Sequence, residues 1–289
     1  MRFVRTSLAL AAVGALLAAA VSSGAAAAPR TSSDPEVSWA PAATAAVHPG
    51  IMTYTGGSQC TANFVFTRLG QAYLGQAAHC AGTGGNTATD GCTSSTLGVG
   101  ADVEDLNGNH LGTIAYSSWV SMQNEAETDP DLCAYNDFAL IKLDTGTGGT
   151  QNWVSQTNPT VPIYGGPDGL NTAGIATLDD VYAIGNTSLR LGVSQLMNHH
   201  GYSIGELGSG RAHQVYTIGP GIPGDSGGPL LDSSGNAAGV LSTVGLYPFA
   251  LSNNFADLDK AMEYAKTHGM SGLTLVKGDT AFTPVLVAP

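Results

Sequence analysis

The chain has 289 residues, and its 43% hydrophobic content is enough apolar material for the core of one large domain or two small ones. Only 11% of the residues are charged, whereas 39 glycines and 14 prolines favour short strands and turns, so the composition excludes a coiled coil or a helical bundle. The formal net charge of −12 would repel a phosphate backbone, and we therefore expect no nucleic-acid partner.

Residues 1–28 have the pattern of a secretory signal peptide. Arg2 and Arg5 form a positive start, residues 8–21 form an apolar run, and alanines at 26–28 suit cleavage. The run is short for a bilayer span, and no later stretch approaches the roughly 18 apolar residues of a membrane helix. We therefore predict a secreted, extracellular protein with no stable membrane association, and a retained anchor is the alternative.

The segments that flank the central part of the chain have weaker patterns. Residues 29–47 are rich in Ala, Ser, Thr and Pro without periodicity, which predicts a short propeptide or a flexible arm outside the fold. Residues 254–268 have apolar positions at helical spacing and predict one helix that closes the domain. The tail at 269–289 contains strand-like stretches but has no role that the sequence assigns.

Residues 48–268 form the predicted domain, in which short apolar or alternating runs recur between clusters of Gly, Asn, Asp and Ser. This spacing is typical of a β-sandwich or a β-barrel, and the Gly-rich stretch near 145–160 is the predicted connection between two halves. The predicted strands are 51–54, 62–66, 72–76, 96–99, 110–116, 138–143, 181–184, 214–218, 229–231 and 237–243.

Four cysteines are an even number, and in an exported chain they predict two disulfides. Three pairings are open. Of these, Cys60 with Cys80 and Cys92 with Cys133 would close loops of about 20 and 40 residues, each stabilising the fold by ~3–4 kcal/mol in the chain-entropy model. Zinc binding is the rival interpretation, but no paired Cys/His spacing supports it, and no metal site is expected.

The segment 224–230, with the sequence GDSGGPL, surrounds Ser226. A nucleophilic serine needs an exposed hydroxyl, a tight turn, and backbone N–H groups directed at the developing oxyanion, and the glycines permit all three. A serine in a glycine-rich turn is, by itself, usually only a turn. The hypothesis therefore requires a general base, because a serine hydroxyl is a poor nucleophile at neutral pH.

His79 is the candidate base among seven histidines. It ends a small-residue strand and is followed by Cys80, so a disulfide to Cys60 would fix the imidazole in place. Asp137 is the candidate for the carboxylate that orients a catalytic histidine, since it begins an apolar strand, where a carboxylate is costly without a dedicated partner. A strand-capping turn residue is the alternative interpretation of Asp137.

Three short segments, in chain order, carry a resemblance to a known family. Residues 77–80 (AAHC), 137–140 (DFAL) and 224–229 (GDSGGP) resemble the trypsin-like, chymotrypsin-fold serine endopeptidases. The stretch GGSQC at 56–60 is similar to secreted bacterial members of that family. The resemblance covers about residues 48–268 and implies an all-β fold of two six-stranded antiparallel β-barrels with a C-terminal helix.

The resemblance also implies a role for each residue of the site. Ser226 would attack the scissile carbonyl, His79 would carry the proton, and Asp137 would hold the imidazole tautomer. Backbone N–H groups of Gly224 and Ser226 would form the oxyanion hole. An extended peptide would add to the edge of a sheet at the substrate-binding strand. The residues expected to bind substrate are Pro220, Ser242, Thr243 and Val244.

Three departures from the family pattern bear on specificity and activation. Pro220 stands where trypsins place an aspartate, so cleavage after Arg or Lys is not expected. Val244 stands where many members have glycine, which favours a small or medium apolar side chain before the cut. The usual Ile-Val-Gly-Gly start is absent, so Asp225 needs another partner, for which Arg190 and Arg211 are the candidates.

The sequence therefore predicts a secreted, monomeric serine endopeptidase that acts on polypeptides through an acyl-enzyme and needs no cofactor. One alternative is a catalytically silent binding module with a blocked cleft, which Pro220, Pro223 and Val244 keep open. The other is a secreted esterase, because G-x-S-x-G also occurs in α/β-hydrolases. Here, however, neither the helix after the serine nor the order Ser, Asp, His is present.

An acidic run precedes Cys133. Its carboxylates predict either a calcium site or a solvated face, and it lacks the turn glycine of an EF-hand. The residues of this run are Glu125, Glu127, Asp129 and Asp131.

Overall fold

The computed structural model describes residues 37–85, 88–245 and 249–285, so the predicted signal peptide lies outside the described residues. The described part is mostly β. It contains strands β1 (Met52–Thr55), β2 (Ser58–Thr61), β3 (Val65–Arg68), β4 (Gln71–Gln76), β5 (Asp102–Glu104), β6 (His110–Ser117), β7 (Ala139–Leu143), β8 (Asp180–Ile184), β9 (Asn198–Leu207), β10 (Ala212–Thr217), β11 (Pro229–Asp232), β12 (Ala237–Val244), β13 (Asn253–Asp257) and β14 (Thr274–Leu275), and helices α1 (Ser118–Asn124), α2 (Pro130–Tyr135) and α3 (Leu258–Thr267).

The strands form two antiparallel units. The first is an open sheet of eight strands in the order β14-β3-β4-β7-β6-β5-β1-β2, and the second is a closed barrel in the order β10-β13-β12-β11-β8-β9. Val65, Leu74 and Ile141 are buried in the core of the first unit, and Val215 and Phe255 are buried in the core of the second. Full burial of such side chains stabilises the fold by about 1.5–3 kcal/mol each.

The predicted all-β architecture with two β-units and a C-terminal helix is confirmed, and one of the units differs in detail. The second unit closes with six strands, whereas the first is an open sheet of eight. One of the additional strands is β14 of the tail, in which Thr274 and Leu275 pair with Thr67 and Phe66 along the edge of β3. The pattern of the sequence did not predict this strand as part of the domain.

The predicted helix over 254–268 is shorter than expected. Residues Asn253–Asp257 form β13, which pairs with both β10 and β12, so barrel hydrogen bonds outweigh the helical spacing there. Helix α3 then begins after Asp257, whose side chain accepts a hydrogen bond from the backbone N–H of Lys260. This N-cap fixes the start of the helix.

The segment before β1, predicted as a short propeptide or a flexible arm, packs against the rest of the protein where the structure describes it, at residues 37–47. Val47 is buried and forms a parallel bridge with Thr157. The backbone N–H of Ala40 donates to Thr157 O at 2.9 Å, and Nδ2 of Asn158 donates to Ala40 O at 2.7 Å. The backbone groups of this segment, for which the sequence predicted no partner, are thus hydrogen-bonded to the connection between the two units.

The tail after α3 also packs against this connection. Leu273 and Val276 are buried. The Asp279 carboxylate accepts hydrogen bonds from the Thr160 hydroxyl and from Nδ2 of Asn158, the latter at 2.8 Å. Burial alone would raise the pKa of Asp279, but the hydrogen bonds from Thr160 and Asn158 outweigh it and lower that pKa.

Both expected disulfides are present. Cys60 is joined to Cys80 and Cys92 to Cys133, at sequence separations of 20 and 41, and no free cysteine occurs in the described part of the chain. The first bridge ties β2 to the turn that carries His79. No helix among the described residues is long and apolar enough to cross a membrane.

We predict that Asp279→Ala lowers the free energy of unfolding by about 1–3 kcal/mol, because the buried Asn158 amide loses one of its two acceptors and the Thr160 hydroxyl loses the carboxylate to which it donates. At roughly 2–4 °C per kcal/mol for a chain of this size, the fall in Tm is measurable by calorimetry. Lys277→Ala, at an exposed position in the same segment, is the control and should leave Tm unchanged. Equal Tm values for the two variants would contradict a structural role for this carboxylate.

Candidate active site

The ends of two paired strands bring His79 and Asp137 together. His79 lies in a 3-10 turn, Ala78–Ala81, just after β4, and Asp137 lies just before β7, which pairs with β4. Nδ1 of His79 is 2.6 Å from Oδ2 of Asp137, and the backbone N–H of His79 donates to Oδ1 at 2.9 Å. The carboxylate thus contacts both the ring and the backbone of His79, which fixes the orientation of the imidazole.

The two groups shift each other's pKa. Burial alone would lower the pKa of His79, but the charge of Asp137 and the hydrogen bond to it outweigh burial and raise that pKa above 6.5. Burial alone would raise the pKa of Asp137, but the charge of His79 and hydrogen bonds from His79 and Ser242 lower it. An ionised carboxylate beside Nδ1 places the proton of a neutral imidazole there and leaves Nε2 as an acceptor.

Ser242, at the end of β12, reaches the same carboxylate from the barrel. Its hydroxyl donates to Oδ2 of Asp137 at 2.6 Å. The sequence predicted Ser242 only as part of a substrate-binding strand, so its contact with Asp137 is an additional finding. One carboxylate oxygen therefore accepts hydrogen bonds from both units of the fold.

Ser226 lies in a tight turn whose backbone carbonyls accept hydrogen bonds from residues of the first β-unit. The Thr61 backbone N–H donates to Ser226 O at 2.8 Å, the Thr61 hydroxyl donates to Gly224 O at 2.9 Å, and Nδ2 of Asn63 donates to Gly227 O at 3.0 Å. Gly224 and Gly227 have φ values of +96° and +87°, in the left-handed region. A Cβ on Gly227 would lie 2.5 Å from Thr61 O, so the turn requires glycine there.

Arg190 is the partner of Asp225, which settles the choice between the two candidate cations. The Asp225 carboxylate is 0% exposed and forms an ion pair with Arg190, with Nε to Oδ1 at 3.2 Å and Nη2 on Oδ2. Oδ2 also accepts the backbone N–H of Ile222 at 3.0 Å. Arg190 Nη2 donates to Pro220 O at 3.3 Å, so the pair holds the whole loop that leads to Ser226.

A cleft of about 740 Å³ contains the candidate catalytic residues. His79, Asp137 and Ser226 all line it, as do Thr243 and Val244. Other lining residues were not predicted from the sequence, because they come from several separate elements and no local motif marks them. They include Gln59, Trp119, Leu189, Gly221 and Leu241.

Pro220 is the one predicted substrate-binding residue that does not line the described cleft. Its carbonyl faces the buried guanidinium of Arg190 instead. The reason is the ion pair with Asp225, which draws this part of the loop inward.

The acidic run does not converge on a cation site. Oε1 of Glu127 accepts the backbone N–H of Asp129, and Oδ1 of Asp129 accepts the N–H groups of Asp131 and Leu132 as the N-cap of α2. Glu125 pairs with His268 at 3.0 Å instead. Among the described residues, the groups of three with metal-ligand spacing all contain disulfide cysteines, whose sulfurs are not thiolate ligands.

Solved structures of other proteins have the same fold. The structure is similar to Thermobifida fusca Protease A, with a TM-score of 0.50 and 18% identity over 80% of this chain and 99% of that chain. It also matches Cellulomonas bogoriensis chymotrypsin, with a TM-score of 0.45 and 20% identity over 79% of this chain and 97% of that chain. The fold is therefore chymotrypsin-like. No curated protein matches the sequence.

The family assignment comes from the sequence. The Trypsin family matches residues 44–256, which is most of the chain, and the protein belongs to that family.

We predict that Arg190→Met lowers the free energy of unfolding by about 3–5 kcal/mol, because it leaves Asp225 buried without a counter-ion. Adding Asp225→Asn should recover part of this loss, since the penalty comes mainly from the uncompensated charge. Thermal unfolding of the single and double variants measures both effects. Arg211→Ala removes the other candidate cation and is the control, with no change expected. A single variant as stable as the parent would show that the pair does not hold the loop.

Proposed function

We propose that the protein is a secreted serine endopeptidase that hydrolyses peptide bonds through an acyl-enzyme formed on Ser226. The observation that supports this most directly is the contact between His79 and Asp137 in a cleft that Ser226 also lines. A histidine oriented by a buried carboxylate, beside a serine in a glycine turn, is the arrangement needed to activate a hydroxyl.

The reaction follows from these positions. His79 Nε2 accepts the proton of Ser226 as Oγ bonds to the scissile carbonyl carbon. The imidazolium, stabilised by Asp137, then gives the proton to the leaving amine as the C–N bond breaks. A water molecule then attacks the acyl carbon while His79 accepts its proton, and His79 gives this proton to Ser226 Oγ as the C–Oγ bond breaks and the carboxylic acid is released.

Two backbone N–H groups are available for the oxyanion. Neighbouring amides of the turn are paired within the described structure: Asp225 N–H donates to Ile222 O, and Gly227 N–H donates to Leu241 O. No described residue accepts a hydrogen bond from the N–H of Gly224 or of Ser226. Preorganised donors of this kind stabilise the charge that develops in the transition state.

The end of β12 offers an edge for an extended peptide. β11 pairs with this strand only as far as Val240, whereas β13 pairs with its other edge out to Val244. One edge of β12 beyond Leu241 is therefore free in the described structure and faces the cleft. A substrate strand would add to Thr243 and Val244 by main-chain hydrogen bonds.

The cleft favours an uncharged side chain before the scissile bond. Asp137 is the only acidic residue among the described lining residues, and its carboxylate is already bound to His79 and Ser242. A lysine or arginine side chain would therefore find no counter-ion. This supports the prediction that cleavage does not follow basic residues.

Secretion, a monomeric state and independence of a cofactor are parts of the same proposal. Two disulfides suit an oxidising compartment. They agree with the signal-peptide pattern of residues 1–28.

The structure bears differently on the two alternative functions, an esterase and a binding module. The esterase hypothesis rested on an α/β-hydrolase fold with a helix after the nucleophile, whereas Ser226 is followed by β11 of an antiparallel barrel, so the fold does not support it. The binding-module hypothesis has no observation in its favour, because the cleft is open at Ser226. The reactivity of Ser226 with an active-site reagent is the test that distinguishes a binding module from an enzyme.

We predict that diisopropyl fluorophosphate adds to one site on the secreted protein and that Ser226→Ala abolishes the adduct. The same variant should lose at least about 10³-fold in kcat/KM on peptide substrates, because it removes the hydroxyl that would form the acyl-enzyme. Intact mass of the non-reduced protein reports the adduct, signal-peptide removal and both disulfides together. A correctly processed protein that takes no adduct would favour the binding module.

We predict that kcat/KM rises with pH through an apparent pKa above 6.5. His79 must be neutral to act as base, and Asp137 raises the pKa of its imidazole, so the active form appears only above that raised value. Asp137→Asn should move this limb to lower pH and reduce kcat by about 10⁴-fold. A profile that is unchanged in the Asn variant would contradict the coupling of these two groups.

A further inference from the structure

One buried hydroxyl connects the second β-unit to the turn that contains Ser226. Thr61, at the end of β2, is 0% exposed, and its Oγ1 donates to Gly224 O at 2.9 Å. The same oxygen accepts the backbone N–H of Asn186, just after β8, at 3.0 Å and lies 3.1 Å from Asn186 O. A hydroxyl has a single proton, and Gly224 O is the nearer of the two carbonyl oxygens that can accept it. The Asn186 N–H, the Thr61 hydroxyl and Gly224 O therefore form a short relay.

The peptide group between Pro223 and Gly224 has no hydrogen bond of its own. Neither Pro223 O nor the Gly224 N–H has a partner among the described residues. Gly224 has a φ of +96°, and a glycine can adopt either sign of φ at little cost. Rotation of this peptide group would direct Pro223 O toward the cleft in place of the N–H. Its orientation therefore depends on what holds the residues on either side.

Those neighbours are held from both directions. On one side, the Ile222 N–H donates to Oδ2 of Asp225, and the Asp225 N–H donates to Ile222 O. On the other side, the Thr61 hydroxyl holds Gly224 O. Thr187 packs against the glycine, since a Cβ on Gly224 would lie 2.4 Å from its Oγ1. Of these side chains, only Thr61 forms a hydrogen bond to Gly224 itself.

The same end of β2 is attached to the segment of the proposed base. Cys60 forms the disulfide with Cys80, which directly follows His79. The backbone N–H of Thr61 donates to Ser226 O at 2.8 Å. Two consecutive residues of one strand thus hold the histidine segment and the serine turn, so the Thr61 hydroxyl has a fixed position relative to both.

We propose that Thr61 is a positioning residue for the oxyanion: its hydroxyl keeps the Gly224 N–H directed at the substrate oxygen that becomes negatively charged. The proposal rests on the proposed endopeptidase activity and refines it. Thr61 is not among the residues that line the cleft, so its hydroxyl does not contact substrate. Its effect is exerted on the transition state, in which charge develops on that oxygen, and not on ground-state binding.

The test is Thr61→Val, which keeps the β-branched shape and the backbone N–H to Ser226 O but removes the hydroxyl. We expect kcat on a peptide substrate to fall roughly tenfold with KM within about twofold of the parent, because fewer molecules hold the Gly224 N–H toward the cleft. A peptidyl trifluoromethyl ketone bonds to Ser226 Oγ as the proton passes to His79, and it leaves a negative oxygen in the same place. Its inhibition constant should rise by the same factor as kcat falls.

Two further variants separate positioning from stability. Thr61→Ser keeps the hydroxyl and should retain kcat within about twofold of the parent. Thr53→Val is the matched control, since Thr53 is also 0% exposed, pairs with Cys60 on the adjacent strand, and donates to Oε1 of Gln76 at 3.1 Å. It removes the same kind of buried hydrogen bond and should lower Tm without changing kcat. Diisopropyl fluorophosphate, reacted to completion, gives the fraction of assembled sites to which each kcat is normalised.

The outcomes distinguish the two proposals. A kcat per titrated site that falls no further in Thr61→Val than in Thr53→Val would overturn the role of Thr61 and leave the endopeptidase intact. A loss of kcat without a matching rise in the inhibition constant would also overturn it. A parent that takes no adduct would instead overturn the endopeptidase. In that case, crystal structures of the parent and of Thr61→Val still decide, and an unchanged orientation of the peptide group between Pro223 and Gly224 would refute the role of the hydroxyl.

Discussion

The buried ion pair between Arg190 and Asp225 is the constraint on which the active-site turn depends. Charged groups are only 11% of this chain, and burying two of them is costly unless their remaining hydrogen bonds are satisfied. Here the backbone N–H of Ile222 and the carbonyl of Pro220 complete the pair. The loop before Ser226 is thus held by a cation from within the chain, and Asp225 needs no inserted N-terminal amine to balance its charge.

The other half of the site depends on contacts that cross between the two β-units. Thr61 and Asn63 of the first unit hold the turn around Ser226, while Ser242 of the second unit donates to Asp137 of the first. The proposed nucleophile and the proposed base are therefore both held by hydrogen bonds that cross between the two β-units. Loosening this interface would shift both groups together, which explains why so many polar side chains are buried along it.

The catalytic candidates could be predicted because each lies within a few residues of a local motif. His79 adjoins a cysteine, Asp137 begins an apolar strand, and Ser226 lies in a glycine turn. The same holds for the two disulfides and for the general β architecture. The contact between Ser242 and Asp137 could not be predicted in this way, because the two residues are 105 positions apart in the chain. The choice between Arg190 and Arg211 likewise needed the three-dimensional structure.

The start of helix α3 and the packing of the flanking segments could not be predicted, for a related reason. Residues at 254–257 have helical spacing, but hydrogen bonds from two neighbouring strands decide their conformation. Composition gave no packing partner for the segments at 37–47 and 269–285, although their backbone groups pair with residues far away in the sequence. Local propensity carries no information about such partners, and only the paired structure reveals them.

Those two segments meet at the connection between the β-units, and this gives them a consequence for the site. Nδ2 of Asn158 donates both to Ala40 O, before β1, and to Asp279, in the tail. The connection is thus held from both ends of the described chain. Because His79 and Ser226 lie on different units, the position of one unit against the other sets the distance between base and nucleophile. A misplacement of about 1 Å can cost 10²-fold in rate, so contacts remote from the cleft contribute to keeping it productive.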